Sequence, residues 1–400
     1  MSSSNSESLQ FSTRAIRDGV LRSDFQEHSE SLFLSSSYIF ESAENIAHQA
    51  ANSEKGFYYS RFSNPTVAMF QERLASLEGA EACIATASGM SAILALLLST
   101  LRTGDHVVAS RSLFGSTIQM LSSFLPRLGI ETTFVTLTDE SAWRQAITSN
   151  TKLLFLETPS NPLMEIGDIQ AIANAAHEKG VLLVVDNTFC SPAIQNPIPL
   201  GADVVIHSAT KLIDGQGRVL GGAILGRDKF IKETIFPFVR LTGPTLSAFN
   251  AWVLLKGLET LQIRLERQSQ SALELARWLE TIPEISRVFY PGLPSHPQHL
   301  LASKQQRTGG SVISFQIKGE TPEIQRKTAW NVMDRAKLFS RTANLGDVKS
   351  TILHPATTIH SRITQKERES AGITEGLLRL SIGLEDSIDL KNDLLAGLKD

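Results

Sequence analysis

The sequence predicts an α/β protein, with a mainly parallel sheet covered on both faces and a smaller α+β unit after it. Three observations predict this. From about residue 66, short apolar runs rich in β-branched residues alternate with helical stretches. After residue 283 the pattern changes, with Pro283, Pro291, Pro294 and Pro297 punctuating the chain. The length of 400 residues is also too great for one comfortable domain.

The strands expected in the first part are 82–85, 106–109, 132–137, 152–157, 181–185 and 204–207, each a compact apolar run, with 221–225 as one more. Between them, helices are expected at 89–100, 114–126, 139–148 and 168–179. Residues 245–282 have few breakers and read as one long helix. Strands near 311–317 and 377–382, a helix near 322–334 and a last helix near 386–399 complete the smaller unit. Residues 1–60 are polar and irregular, suited to wrapping a partner subunit, and equally to a loose terminus. The expected division is therefore a 1–60 segment, a 61–255 large domain and a 256–400 small domain.

Composition narrows the function. The chain is 42% hydrophobic and 20% charged, with a formal net charge of −3, so nothing favours nucleic acid or an anionic membrane as partner. Cys83 and Cys190 lie far apart with no CxxC, which argues against a metal knot or a disulfide framework and suits a reducing compartment. No apolar signal segment opens the chain, and the run 93–98 is too short to span a bilayer. A cytoplasmic enzyme without metal is expected.

In an open parallel sheet, ligands bind beyond the carboxyl ends of the strands. The polar residues there are Ser88, Gly89, Glu157, Asn161, Asp186, Asn187, Ser208, Thr210 and Lys211. Lys211 follows Ser208 and Thr210 and opens a Gly-rich loop. It reads as an amine held beside a phosphate, as a Schiff-base lysine of a pyridoxal phosphate enzyme would be; in isolation it equally fits a solvated loop. Asp186 follows five apolar strand residues, where a carboxylate would keep a pyridine nitrogen protonated. A turn aspartate is the plain alternative.

Gly89 and Met90 open a helix after Ser88, which makes either a phosphate cradle or a simple N-cap. Tyr59 and Arg61 sit in a polar aromatic cluster where arginine suits a phosphate, and where a surface loop at Asn64-Pro65 fits as well. Asn161, between two prolines, is placed to donate to a ring oxygen or to make a turn. Arg379 lies inside an apolar strand, a costly place unless it meets an anion. That anion is a substrate α-carboxylate or an internal acidic residue. No Gly-Lys dipeptide and no HExxH occur, and Gly215, Gly217 and Gly221 miss the dinucleotide spacing.

Six motifs in order carry a resemblance: Tyr59-Ser-Arg61-x-x-Asn64-Pro-Thr66, Ser88-Gly89-Met90, Glu157-x-Pro-Ser-Asn161-Pro162, Val185-Asp186-Asn187-Thr188, Ser208-Ala-Thr210-Lys211 and Arg379-Leu-Ser-Ile-Gly383. Together they resemble the Cys/Met-metabolism family of pyridoxal phosphate enzymes, over nearly the whole chain. The resemblance implies an aspartate aminotransferase-like (fold type I) architecture and a homotetramer built as a dimer of dimers. In it, Tyr59 and Arg61 would reach the cofactor phosphate of a neighbouring subunit, Phe114 would stack on the ring, and Arg379 and Asn344 would meet substrate.

Within the family, the stretches 110–116 and 342–358 point to a γ-replacement. Sulfide would displace succinate from O-succinylhomoserine to form homocysteine. The alternatives are cysteine as the thiol, an O-acetyl ester, a methionine γ-lyase reaction and an inactive binding protein. Two departures bear on this. Most relatives carry tyrosine where this chain has Phe114, and the lyases tend to carry Glu-Ser where it has Ala343-Asn344. The ester's distal carboxylate needs a cation, for which Arg111 and Lys349 are candidates.

Overall fold

The computed structural model describes residues 9–51, 56–361 and 364–398. The polar start of the N-terminal segment, residues 1–8, and the last residue of the expected closing helix lie outside the described residues. Among these, twelve strands form two sheets. The larger holds β1 (Ala82–Thr86), β2 (His106–Ser110), β3 (Glu131–Val135), β4 (Thr151–Glu157), β5 (Leu182–Asp186), β6 (Val204–His207) and β7 (Gly222–Gly226), in the order β1-β7-β6-β5-β4-β2-β3. The strands from β6 to β3 pair in parallel, and β7 runs antiparallel to both its neighbours.

Alternation along the strands explains the two covered faces. Val107, Ala109, Phe155, Val184 and Ile206 pack into one core with Ala92 and Leu96 of the helix Gly89–Thr100. Val108, Leu154, Leu156, Val185 and Val205 pack into another, with Phe70 and Leu74 of the helix Pro65–Glu78 and Leu254 of the helix Ala248–Glu259. A sheet buried on both sides needs uninterrupted apolar runs, which is why these strands were readable.

The smaller sheet holds β8 (Ile285–Phe289), β9 (Val312–Ile317), β10 (Ser340–Arg341), β11 (Thr351–Leu353) and β12 (Leu377–Ser381), ordered β10-β11-β12-β9-β8. It is antiparallel except where β10 meets β11. Its core joins Ile313, Phe315, Leu378 and Leu380 to Leu275 and Leu279.

Several expectations need correction. The helix expected at 114–126 is broken into an α turn Gly115–Gln119, a π turn Met120–Phe124 and a 3-10 turn Leu125–Leu128. Pro126 lacks the N–H that an α-helix would need there, and the chain changes its hydrogen-bond register ahead of it. The long helix expected at 245–282 breaks at Thr260 (φ −111°, ψ 5°) into Ala248–Glu259 and Leu261–Leu279. Asn64-Pro65 is not a loop cap. Asn64 caps the helix Pro65–Glu78, accepting from the N–H groups of Thr66 and Val67 with proline at the first position. Helices Phe11–Arg17 and Ala43–Ala51 likewise interrupt the segment expected to be irregular.

No helix among the described residues is long and apolar enough to cross a membrane.

The start of β7 presses on the loop after β1. A Cβ on Gly222 would stand 2.1 Å from the Ser88 carbonyl oxygen. Gly222→Ala is therefore expected to lower stability by about 1–3 kcal/mol, since a packed interior yields only at the cost of backbone shifts. Urea unfolding checks this: the midpoint should fall while the slope stays constant.

Candidate active site

The carboxyl edge of the large sheet carries the polar cluster. Glu157 ends β4 and Asp186 ends β5, and the two are partners in the parallel register. Both are buried. Burial and the neighbouring Asp186 charge hold Glu157 well above the ordinary carboxylate range, and its Oε2 accepts the Phe114 backbone N–H at 2.8 Å. Burial raises Asp186 too, opposed by hydrogen bonds from Thr188 and by nearby His207. The Thr188 N–H donates to Asp186 Oδ1 at 3.0 Å, and Thr188 Oγ1 accepts from the Ser208 N–H at 2.8 Å. Thr188 thus ties the end of β5 to the loop that carries the lysine.

That loop, residues 208–221, leaves β6 and returns as β7. Thr210 Oγ1 accepts the Gly221 N–H at 3.0 Å and donates to its carbonyl at 3.2 Å, closing the base of the loop. The Lys211 Nζ donates to Asn344 Oδ1 at 2.5 Å. Burial, reinforced by the positive charge of Arg379, pushes the lysine pKa down to about 8. A lysine so placed is partly neutral near physiological pH and can take a proton.

Arg379 stands on β12 of the small sheet, 2% exposed. Its Nη1 donates to Asn161 Oδ1 at 3.0 Å and its Nη2 to the Asn344 carbonyl at 3.2 Å. Its Nε is buried with no hydrogen-bond partner among the described residues. Burial pushes the guanidinium down to about 10, with Glu157 opposing. A buried cation with an unspent donor suits an incoming anion.

Gly89 opens its helix against the loop. A Cβ there would lie 2.7 Å from Ser208 Cβ, so only glycine lets the helix start come this close. The first-turn N–H groups of Gly89 and Met90 have no intrahelical acceptor and make an anion site.

The structure thus brings together Asp186, Lys211, Asn161, Arg379, Asn344, Ser208, Thr210 and Gly89, with Phe114 joined through Glu157. Four expected residues stand apart from this set of contacts. Arg61 lies over the Phe62 ring, 4.6 Å from its centroid, and donates to the Arg240 carbonyl, with Tyr59 beside it. The Arg111 Nε donates to the Phe134 carbonyl at 3.1 Å, on the edge strand β3. Lys349 is exposed.

A model of the Cys/Met metabolism PLP-dependent enzymes matches residues 12–399. The chain belongs to this family. An O-succinylhomoserine sulfhydrylase of Pseudomonas aeruginosa is 54% identical over 99% of this chain and 96% of its own. One from Mycobacterium tuberculosis is 46% identical, over 96% and 94%. A solved structure from Campylobacter jejuni (metY), carrying N'-pyridoxyl-lysine-5'-monophosphate, has a TM-score of 0.93 and 34% identity, over 98% of this chain and all of that one (100%).

Pyridoxal phosphate is the family's cofactor, and the residues here fit it: a helix start stripped of side chain at Gly89, an amine with a lowered pKa, and a buried carboxyl at Asp186. Glu157 stands in the sequence only as one polar strand end among several, and the hydrogen bonds of Thr188 and the pair His207 Nε2 and Glu78 Oε2, 2.7 Å apart and both buried, are additions of the fold. The available signal was Glu157 and Asp186 at equivalent ends of successive strands. Glu78, far back in the chain, left none.

The lysine's environment has a measurable cost. With cofactor removed, Lys211→Met is expected to be more stable than the parent at pH 7 by about 1–3 kcal/mol. The folded pKa lies near 8 against 10.5 for the free side chain. The unfolded parent therefore binds more protons between those values, and parent stability rises with pH through that window. Urea melts should show the gap closing from pH 8 to 10.5; a gap constant with pH contradicts this account.

Proposed function

We propose that this chain catalyses γ-replacement on O-succinylhomoserine, with sulfide as the incoming nucleophile and homocysteine and succinate as products. The observation that carries the reading is the full-length likeness to the Pseudomonas enzyme, on a site where Lys211, Asp186 and Arg379 converge.

When bound, pyridoxal phosphate supplies an aldehyde for the substrate amine and a ring that accepts electrons from the substrate α-carbon. The chain's residues divide the remaining work. Gly89 and Met90 would offer backbone N–H groups to the phosphate, with Ser208 beside Gly89 and Thr210 closing the base of the same loop. Asp186 would hold a proton on the ring nitrogen. The burial that raises its pKa makes a cationic partner there the more favourable, because a paired charge tolerates burial far better than a single one. Asn161 orients the arginine through its Oδ1, which would leave its amide N–H groups to donate to the ring oxygen. Arg379 binds the α-carboxylate through its fork of donors, including the unspent Nε.

Lys211, released from Asn344, takes the α-proton and moves protons along the substrate toward the β-carbon. Phe114 would cover the ring by stacking, and brings no hydroxyl. A carboxylate such as succinate leaves without needing a proton from that position, so phenylalanine suffices. Tyr59 and Arg61, remote from their own Lys211 contacts, serve a neighbouring subunit's phosphate in a cytoplasmic homotetramer.

Supplying O-succinylhomoserine with sulfide and cysteine in competition tests the reading. Homocysteine is expected to dominate; exclusive formation of cystathionine would overturn it. Phe114→Tyr is expected to gain cystathionine cleavage while retaining sulfhydrylation, read by released thiol. An unchanged preference would separate Phe114 from the choice of reaction.

A further inference from the structure

Beyond Phe114 the site opens into a cavity of 460 Å³ that no step above uses. One wall is the helical face carrying Ser116, Gln119, Ser122 and Ser123, and the other is the turn Thr358–His360. The walls meet at Gly115, where a Cβ would stand 3.3 Å from the Ile359 carbonyl oxygen. A polar helical face is ordinarily just a solvated one. Here it looks across a cavity at a turn carrying Thr358 and His360, and the aromatic side chain proposed to cover the cofactor lines the same cavity.

The lining mixes the apolar Ile118 and Ile359 with hydroxyl and amide groups, and holds no Asp, Glu, Lys or Arg among the described residues. His360 is 9% exposed, and its Nδ1 is buried with no hydrogen-bond partner among the described residues. Burial, with the charges of Arg379 and Arg368, pushes its pKa down to about 4, so it is neutral in the range where the enzyme would work. Gln119 and Ser123 are exposed. Such a space sets no negative charge against an anion and presents the Gln119 amide and serine hydroxyls as donors. Neither Arg111 nor Lys349, the cations expected for the distal carboxylate, lines it.

We propose that this cavity receives the acyl arm of the ester, with Gln119 and the serines of its helical face donating hydrogen bonds to the terminal carboxylate of a succinyl group. This rests on the chain acting on homoserine esters. An acetyl arm ends in a methyl group and leaves those donors unpaired, so the cavity favours the longer dicarboxylic ester. A site built to hydrogen-bond a group discriminates against the analogue that lacks it.

The test uses the holoenzyme and a change of charge at one exposed position. The ratio of kcat/KM for O-succinylhomoserine to that for O-acetylhomoserine is measured in the parent, Gln119→Glu and Gln119→Lys. The dissociation constant of free succinate is measured on the same proteins by calorimetry. Glu is expected to lower the ratio by about tenfold through a raised KM, and Lys to raise it, because the carboxylate meets like charge in one and opposite charge in the other. Succinate binding should follow the same order. A ratio that stays constant, or moves the same way in both variants, overturns the proposal. If either Gln119 variant fails to hold cofactor, Ser123→Asp and Ser123→Lys make the same comparison of sign. A parent that forms no homocysteine from O-succinylhomoserine defeats the functional reading itself, whereas normal parent turnover with an insensitive ratio defeats only the assignment of the cavity.

Discussion

Glu157 and Asp186 end adjacent parallel strands, and both carboxyl groups are out of water. Two like charges cannot be buried side by side without a proton or a cation between them. The protein answers in several places at once. Thr188 donates to Asp186, the Phe114 N–H donates to Glu157, and the positive charge of Arg379 opposes the rise at Glu157. Arg379 belongs to the other sheet. Its contact with Asn161, and that of Asn344 beside it with Lys211, make the small sheet's position against the large one a requirement of the site's electrostatics as well as of packing.

A second polar layer lies beneath. The Asn187 side chain donates to Glu78 at 3.2 Å and to the Gln195 carbonyl at 2.8 Å, and Gln195 donates to the Thr158 carbonyl at 3.0 Å. The Glu78–His207 pair completes it. Such networks, fully satisfied, hold one arrangement and penalise its neighbours. Asn187 and Thr158 follow Asp186 and Glu157 directly in the chain, so this layer holds both strand ends, while Thr188 ties the end of β5 to the Ser208 loop.

Much of this was legible in the amino-acid order, and the rest was hidden for physical reasons. Strands buried on both faces announce themselves as apolar runs, and the residue that ends such a run is where a ligand waits. Asp186 was visible for that reason, Lys211 for the hydroxyl residues before it and the glycines after it, and Arg379 as a charge inside an apolar strand. Asn64-Pro65 misled because the same dipeptide serves a turn or starts a helix, and the choice depends on whether residues 66–78 find a surface to pack against. The interruption at 120–128 depends on a proline whose effect extends upstream. Glu78 and His207 are 129 positions apart, and only the closing of the sheet makes them partners. The cavity beyond Phe114 needs the turn at 358–360 to come beside a helix from the other end of the chain, which no local pattern encodes.

The antiparallel course of β7 has a consequence of its own. Were β7 parallel to β6, the chain would have to travel the length of the sheet before re-entering it. Running backward, it keeps both ends of the 208–221 loop on one edge, each held by ladder hydrogen bonds. The Lys211 amine is therefore positioned by backbone register, which side-chain substitutions in the cores leave alone. A lineage can exchange many of its interior residues and still keep the amine in place, so its chemistry can persist while the rest of the protein drifts.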